Sequence, residues 1–425
     1  MDQSNVYPRF RWFIMMAAIV ATAAQTAMMI APAPLMGPIA KDLGMSVGQA
    51  TGIIMGLWQI AAPISVIASG FYVDRYGITK TMALGCALLI LPSLAFPFVD
   101  NNLGAIVALR VLQAFGVGPI SAAVAPLAAI WFPPQQRSFV AGLQGMANSL
   151  GVAISFMLSP VIFAVSGNWL TVMPWMTIVA VVALVLTLAI PFGSKPPSLA
   201  VQITGCDSVA GKDDFKLALK QPVTYVGIAA LFIGCWTFVA FNDLTPGYFA
   251  IESPVGLGFG PEEAGKLMTI YQLAFMAGAV AVAVIFEKVF KENARLTISI
   301  GFGLFAVFAT SIMLPAVYAN KSVLMICLPL AGFFGAWCIP VCITFISLHY
   351  PAHITGKMIG LWFGVGIFAG LPAIIAGSAA LHTTGNYHMS IIIVAAVALL
   401  GIIVAMFMKP PTVFCIIEKG NNIQA

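Results

Sequence analysis

Two charged residues stand inside long apolar stretches. Arg110, in LGAIVALRVLQAFGVG, is the only basic residue deep within such a run, and Asp243, in TFVAFNDLTPGY, is the best acidic candidate within one. A charge at the centre of a hydrocarbon layer costs about 2.5–3.5 kcal/mol on insertion scales, so each needs a cavity, a partner or a way to the surface. An inward guanidinium can hold a carboxylate through two parallel hydrogen bonds or take part in charge coupling. The competing reading of Arg110 is a side chain that snorkels to the interface, because Leu103 starts its run only about seven residues earlier. An aspartate that takes up a proton can carry ion coupling. The competing reading of Asp243 is an acid near a helix mouth or paired with another helix.

Uncharged polar and aromatic residues also interrupt the apolar runs: Gln25, Gln59, Gln113, Gln144, Asn148, Tyr271, Gln272 and Trp362. Each can line a polar path. Each can equally hydrogen-bond a neighbouring helix, a contact worth about 0.6–2 kcal/mol. Gln25 and Asn148 lie nearest the centres of their runs. Lys266, in the first turn of its run, reads as interfacial. His382 and His388 read as loop histidines, and the seven cysteines show no metal-ligand spacing and read as small buried hydrophobes.

The elements that position these residues follow from composition. Of 425 residues, 61% are hydrophobic and 8% are charged. Soluble domains carry about 25% charged residues, so this surface must face lipid. Each span needs about 20 apolar residues, and the spans must be helices because lipid cannot satisfy an open backbone. Twelve runs qualify, near 12–36, 47–73, 79–99, 103–131, 137–165, 169–191, 222–250, 262–286, 295–318, 321–349, 354–381 and 386–408. With the N-terminus inside, only Lys41, Lys266 and Lys321 fall outside and Arg110 lies within a span. The rest of the 19 Lys and Arg are cytoplasmic, as is the C-terminus. The first run, behind Arg9 and Arg11, is too long for a signal peptide.

The predicted class is therefore an all-α membrane protein with twelve transmembrane helices in two pseudo-symmetric six-helix bundles. The boundaries are 1–191 for the first bundle, 192–221 for a cytoplasmic linker, and 222–425 for the second bundle with a short tail. KDDFKLALK in the linker can form a short amphipathic helix. At a fixed offset of 218, WFPPQQRSFVAGL from Trp131 meets HYPAHITGKMIGL from His349, matching Pro133 with Pro351 and Gly142 with Gly360. A degenerate echo of VDRYGITK appears in FEKVFKEN. Two six-helix halves with a solute site between them, near the midplane, are a known transporter plan.

The turn GFYVDRYGITK resembles the signature of the major facilitator superfamily through Gly70, Asp74, Arg75, Gly77 and Lys80, with Ile78 departing from the usual basic residue. RVLQAFGVG resembles a second family pattern through Arg110, Gln113 and Gly116, with looser spacing. The resemblance implies that Gly70, Asp74, Arg75, Gly77 and Lys80 lock and release the inner gate and do not bind solute. The competing reading is an ordinary charged turn.

The expected function is a secondary transporter of a small organic solute by alternating access. Arg110 turns the reading toward an organic anion such as a carboxylate, and coupling to a proton or another ion stays open. The substrate-binding set is Arg110, Gln113, Gln25, Asn148, Asp243, Gln272, Tyr271 and Trp362. The expected partners are the solute, the coupling ion and the lipid of a plasma (inner) membrane, with a monomer as the working form. No cofactor, metal or nucleic acid is expected. An exporter of drugs or metabolites is the alternative, although the fifth helix lacks the Gly-x-x-x-Gly-Pro pattern of antiporter branches. A non-transporting sensor is the alternative from another class. No G-x-x-x-x-G-K-[ST] loop supports ATP-driven transport, and no convergent nucleophile and base support an enzyme.

Overall fold

The computed structural model describes residues 8–133, 136–194 and 209–411. Twelve helices among them are long and apolar enough to cross a membrane: α1 Arg11–Asp42, α2 Val47–Val66, α3 Ile78–Phe98, α4 Leu103–Ala128, α5 Gly142–Ser166, α6 Trp169–Phe192, α7 Pro222–Ala250, α8 Gly260–Lys288, α9 Ala294–Ser311, α10 Lys321–His349, α11 Lys357–Thr384 and α12 His388–Met406. They correspond one for one with the twelve apolar runs, and no described residue lies in a strand. Large apolar side chains such as Leu91, Val185, Val307 and Ile403 are more than half exposed, as lipid contact requires.

Short polar residues set the helix starts. Ser46 and Gln49 cap α2 reciprocally, each side chain accepting from the other's backbone N–H. Asn102, Asn168, Asn293 and Asn320 accept from the first turns of α4, α6, α9 and α10. Asn102 and Asn320 are 218 residues apart, the offset seen in the sequence repeat. The ends of the same two helices repeat it: Phe132 donates to the Ala128 carbonyl at 3.2 Å and Tyr350 to the Ile346 carbonyl at 3.1 Å. Both then turn extended before a proline. The echo is thus one of backbone geometry as well as of residue type.

Several spans are broken near their middles. α1 tightens into a 3-10 turn at Ala33–Leu35, α2 is interrupted between Ile54 and Gly56 before continuing as Gly56–Tyr76, and α4 is interrupted at Gly116. The cause in α1 is chemical. Pro32 has no N–H, so the Met28 carbonyl four residues back loses its helical partner. Such a carbonyl in hydrocarbon must find a donor elsewhere.

The chain forms two compact units: Met1–Cys206 with Asn242–Gln272 and Ser378–Tyr387, and Asp207–Phe241 with Leu273–Gly377 and His388–Ala425. In the first unit, Gly151 of α5 sits against Thr26 and Ala23 of α1, and Gly118 of α4 sits against Ser65 of α2, with no room for a side chain at either glycine. In the second, Gly278 of α8 meets the Phe333 backbone, and the rings of Phe308, Phe333, Phe334 and Trp337 form an aromatic core. Gly366 packs on Cys235 and Leu231 of α7, whereas Gly142, Gly145, Gly360 and Gly364 face open space. The linker ends in a helix, Val209–Leu219, whose Ala218 carbonyl accepts from the Thr224 hydroxyl at 2.6 Å. Cys86, Cys235, Cys338 and Cys342 are buried free thiols, and Cys327 is half-buried. Cys206 and Cys415 lie outside the described residues.

Candidate functional site

Arg110 is 1% exposed, so its charge does not reach the interface. Its guanidinium is stitched to the breaks in two other helices. Nη1 donates to the Met28 carbonyl at 2.9 Å and to Gln113 Oε1 at 3.0 Å. Nη2 donates to the Met29 carbonyl at 3.1 Å, and Nε to the Ile54 carbonyl at 3.4 Å. The Met28 carbonyl is the one that Pro32 leaves free, so the arginine completes the turn the proline opened. The guanidinium carbon also lies 4.5 Å from the centre of the Trp58 ring, a cation–π contact. Gln113 is fully buried and donates onward to Ser93 at 2.6 Å, which fixes the acceptor it turns to Arg110.

A guanidinium has five N–H donors. Four of them are taken here by protein oxygens, leaving one on Nη2. A two-pronged grip on a carboxylate needs two parallel N–H groups. In this arrangement Arg110 offers a solute one hydrogen bond and a positive field.

Asp243 of α7 is also 1% exposed and lies in the same unit, within electrostatic reach of Arg110. The two form no contact ion pair. Gln59, one residue past Trp58, turns its amide toward the carboxylate, but neither Asp243 oxygen nor Gln59 Nε2 completes a well-formed hydrogen bond. Gln272 of α8, fully buried, leaves both its amide oxygen and nitrogen without partners. Unsatisfied polar groups in a membrane interior are expensive, so Asp243 and Gln272 each carry a demand for a polar partner that the protein itself does not meet.

The other candidates separate into distinct settings. Gln25 bonds the Ser121 hydroxyl at 3.3 Å, which ties α1 to α4. Gln144 of α5 donates to the Thr22 hydroxyl of α1. Asn148 is half-buried on α5, and Tyr271 is fully buried on α8. Trp362 belongs to the other unit, where it fills the space beside Gly227 and packs between Phe345 and Tyr350. Lys266 is exposed and pairs with Glu262 at 2.7 Å, as an interfacial lysine should. Residue types gave no warning of Trp58, Ser93 or the Met28, Met29 and Ile54 carbonyls as partners of Arg110. The signal that was present is Pro32.

At the signature turn, Gly77 adopts φ +81°, open to glycine without strain, and its N–H closes on the Val73 carbonyl at 2.9 Å. Arg75 is exposed and lies over the Tyr76 ring at 5.5 Å, and Lys80 is exposed. Gly70 and Asp74 lie in the helical segment Gly56–Tyr76, and their side chains fall outside the described ones.

Comparison with known proteins places this arrangement. A family model described as Major Facilitator Superfamily matches residues 14–296 and 255–414. The hexuronate transporter of Bacillus subtilis is 28% identical over 295 residues, 67% of this chain and 65% of that protein. The probable anion transporter 4, chloroplastic, of Arabidopsis thaliana is 34% identical over 118 residues, 28% of this chain and 22% of that protein. The aligned region thus spans less than two thirds of either relative. Sialin of Ovis aries is 26% identical over 210 residues, 46% of this chain and 42% of that protein. The fold matches the crystal structure of a D-xylose-proton symporter with a TM-score of 0.73 at 14% identity, covering 95% of this chain and 98% of that one. The fold and the relatives are those of transporters rather than enzymes. With twelve membrane-length helices and a family match over most of its length, the chain is an integral multi-pass membrane protein and belongs to the Major Facilitator Superfamily.

Proposed function

We propose that this protein is a secondary transporter that carries a small organic anion together with a proton by alternating access. The observation that supports the reading is two buried, opposite charges with unequal surroundings: Arg110 has protein oxygens on four of its five donors, and Asp243 has no well-formed hydrogen bond on either oxygen. With both ionised, the pair is neutral. Adding a proton to Asp243 leaves the Arg110 charge uncompensated, and a carboxylate-bearing solute restores neutrality. One proton and one monovalent anion then move together, and the loaded site carries no net charge through a medium that penalises charge.

In this reading Asp243 holds the proton, and Arg110 supplies the positive field and one N–H. Gln59, Gln272 and Tyr271 meet polar groups of the solute, while Gln25, Gln113 and Asn148 support the walls. The hexuronate transporter, anion transporter and sialin among the relatives support the anion. The two halves, 1–191 and 222–425, joined by 192–221, rock about this site. The Gly70, Asp74, Arg75, Gly77 and Lys80 turn acts at the cytoplasmic gate of a monomer in the plasma (inner) membrane.

The test is flux in proteoliposomes with an imposed pH gradient and a panel of small carboxylates that includes a hexuronate. Accumulation is expected to follow the proton gradient and to ignore membrane potential for a monovalent anion. Asp243→Asn is expected to lose pH-driven accumulation while keeping solute exchange. Full pH-driven accumulation by that variant would rule out the proton role, and absence of flux for every carboxylate would rule out the substrate class.

A further inference from the structure

Opposite the Asp74 turn, the ends of α7, α8 and α11 pack within the first unit against α1, α2 and α5, with no spare room. A Cβ on Gly265 of α8 would collide with the Phe156 carbonyl of α5. One on Gly48 of α2 would stand 2.7 Å from the Ser378 carbonyl of α11, and one on Gly37 of α1 would stand 3.1 Å from the Ile251 side chain after α7. The Thr269 hydroxyl of α8 reaches the Ala153 carbonyl of α5 at 3.4 Å.

Tyr387, 1% exposed in the turn between α11 and α12, lies within this seam. Three separate parts of the chain converge on it. Its N–H donates to the Val255 carbonyl of the α7–α8 loop at 3.2 Å. Its ring stands edge-on to Tyr248 of α7 at 6.5 Å, and its hydroxyl occupies the space that a Cβ on Gly247 would need. The same hydroxyl faces Thr51 of α2. Thr51 already gives its proton to the Val47 carbonyl at 2.8 Å, so what it offers Tyr387 is an acceptor. Burial raises the Tyr387 phenol above its ordinary value, so the phenol stays protonated and remains a donor through the physiological range.

We propose that Tyr387 is the pin of the gate on this face: a positioning residue whose hydroxyl, seated between Gly247 and Thr51, holds α7 and the α11–α12 turn onto α2, and which lets go when solute exchanges on this side. A carrier whose site is reached from one face at a time must part this seam to admit or release solute here. One neutral hydrogen bond suits a contact that breaks every cycle, because it biases a two-state equilibrium only about threefold to tenfold.

The test uses the full chain in oriented membrane vesicles with Ala153→Cys placed in the seam as a reporter for a membrane-impermeant maleimide. Tyr387→Phe removes only the hydroxyl and is expected to raise the labelling rate from this face about threefold to tenfold. Thr51→Val removes the acceptor and is expected to do the same, which keeps the test available should the tyrosine variant fold poorly. The double variant is expected to match either single one, because both delete the same bond. Solute KM measured from the opposite face should stay unchanged while turnover shifts. Unchanged labelling in both single variants, or fully additive effects in the double variant, would reduce Tyr387 to a packing residue and overturn the proposal.

Discussion

Arg110 and Asp243 are equally buried and opposite in charge, yet their surroundings differ in kind. The guanidinium has oxygen on four of its five donors, most of them backbone carbonyls at helix breaks. The carboxylate has none of its acceptors filled, and Gln272 elsewhere in the same unit is as unsatisfied. The difference teaches which charge is part of the wall and which is presented to a ligand. A side chain that closes the backbone of its neighbours cannot leave without opening them. One with vacant acceptors can gain a proton or a donor without opening any helix.

The largest expected effect comes from removing the wall. Arg110→Ala would strand the Met28 and Met29 carbonyls and leave Asp243 without its counter-charge. A loss of about 3–5 kcal/mol is expected, as for breaking other buried pairs. The measurement is thermal unfolding in detergent beside transport, and both should fall. Arg110→Lys should rescue little, because an ammonium cannot span acceptors on two helices. A stable, well-folded Arg110→Ala variant that merely binds solute weakly would invert the comparison and make Arg110 the ligand group.

Asp243→Asn probes the other side of the contrast. It leaves the Arg110 charge without its counter-charge but strands no backbone carbonyl, so a smaller loss of thermal stability than for Arg110→Ala is expected while pH-driven accumulation is lost. Gln272→Ala follows at smaller size. It deletes an amide with no protein partner, so stability should change by less than about 1 kcal/mol. Solute KM should rise about two- to tenfold, the worth of one lost hydrogen bond to a ligand. An equal fall in stability and unchanged KM would place Gln272 in the wall with Arg110.

The sequence made the scaffold plain and the wiring obscure, for a physical reason. Span length and apolarity are properties of consecutive residues, so all twelve helices could be counted, and the Asn102 and Asn320 caps sit where the repeat places them. Gln113 could be paired with Arg110 because residues three apart share a helix face. The remaining acceptors of Arg110 are main-chain carbonyls, which every residue carries and no residue type announces. Tyr387 was hidden for a similar reason: its contacts at Thr51, Gly247 and Val255 lie far apart in the chain. Trp362 shows the converse. It has the composition of a binding residue, yet it packs in the aromatic interior of the second unit.

The smallest expected effect is also the sharpest, because its sign should reverse with context. Pro32→Ala restores an N–H that can reach the Met28 carbonyl and close the turn that proline opened. With Arg110 in place, that carbonyl already has a donor at 2.9 Å. The variant should then change stability by no more than about 1 kcal/mol, and straightening α1 at its break should slow turnover modestly. With Arg110→Ala, the carbonyl has lost its donor, and Pro32→Ala supplies the replacement. The double variant should therefore unfold at a higher temperature than Arg110→Ala alone. Residues that share one acceptor couple in this way, whereas independent sites add. If Pro32→Ala shifts stability by the same amount in both backgrounds, the arginine does not complete the broken turn, and the distinction between wall and ligand group loses its footing.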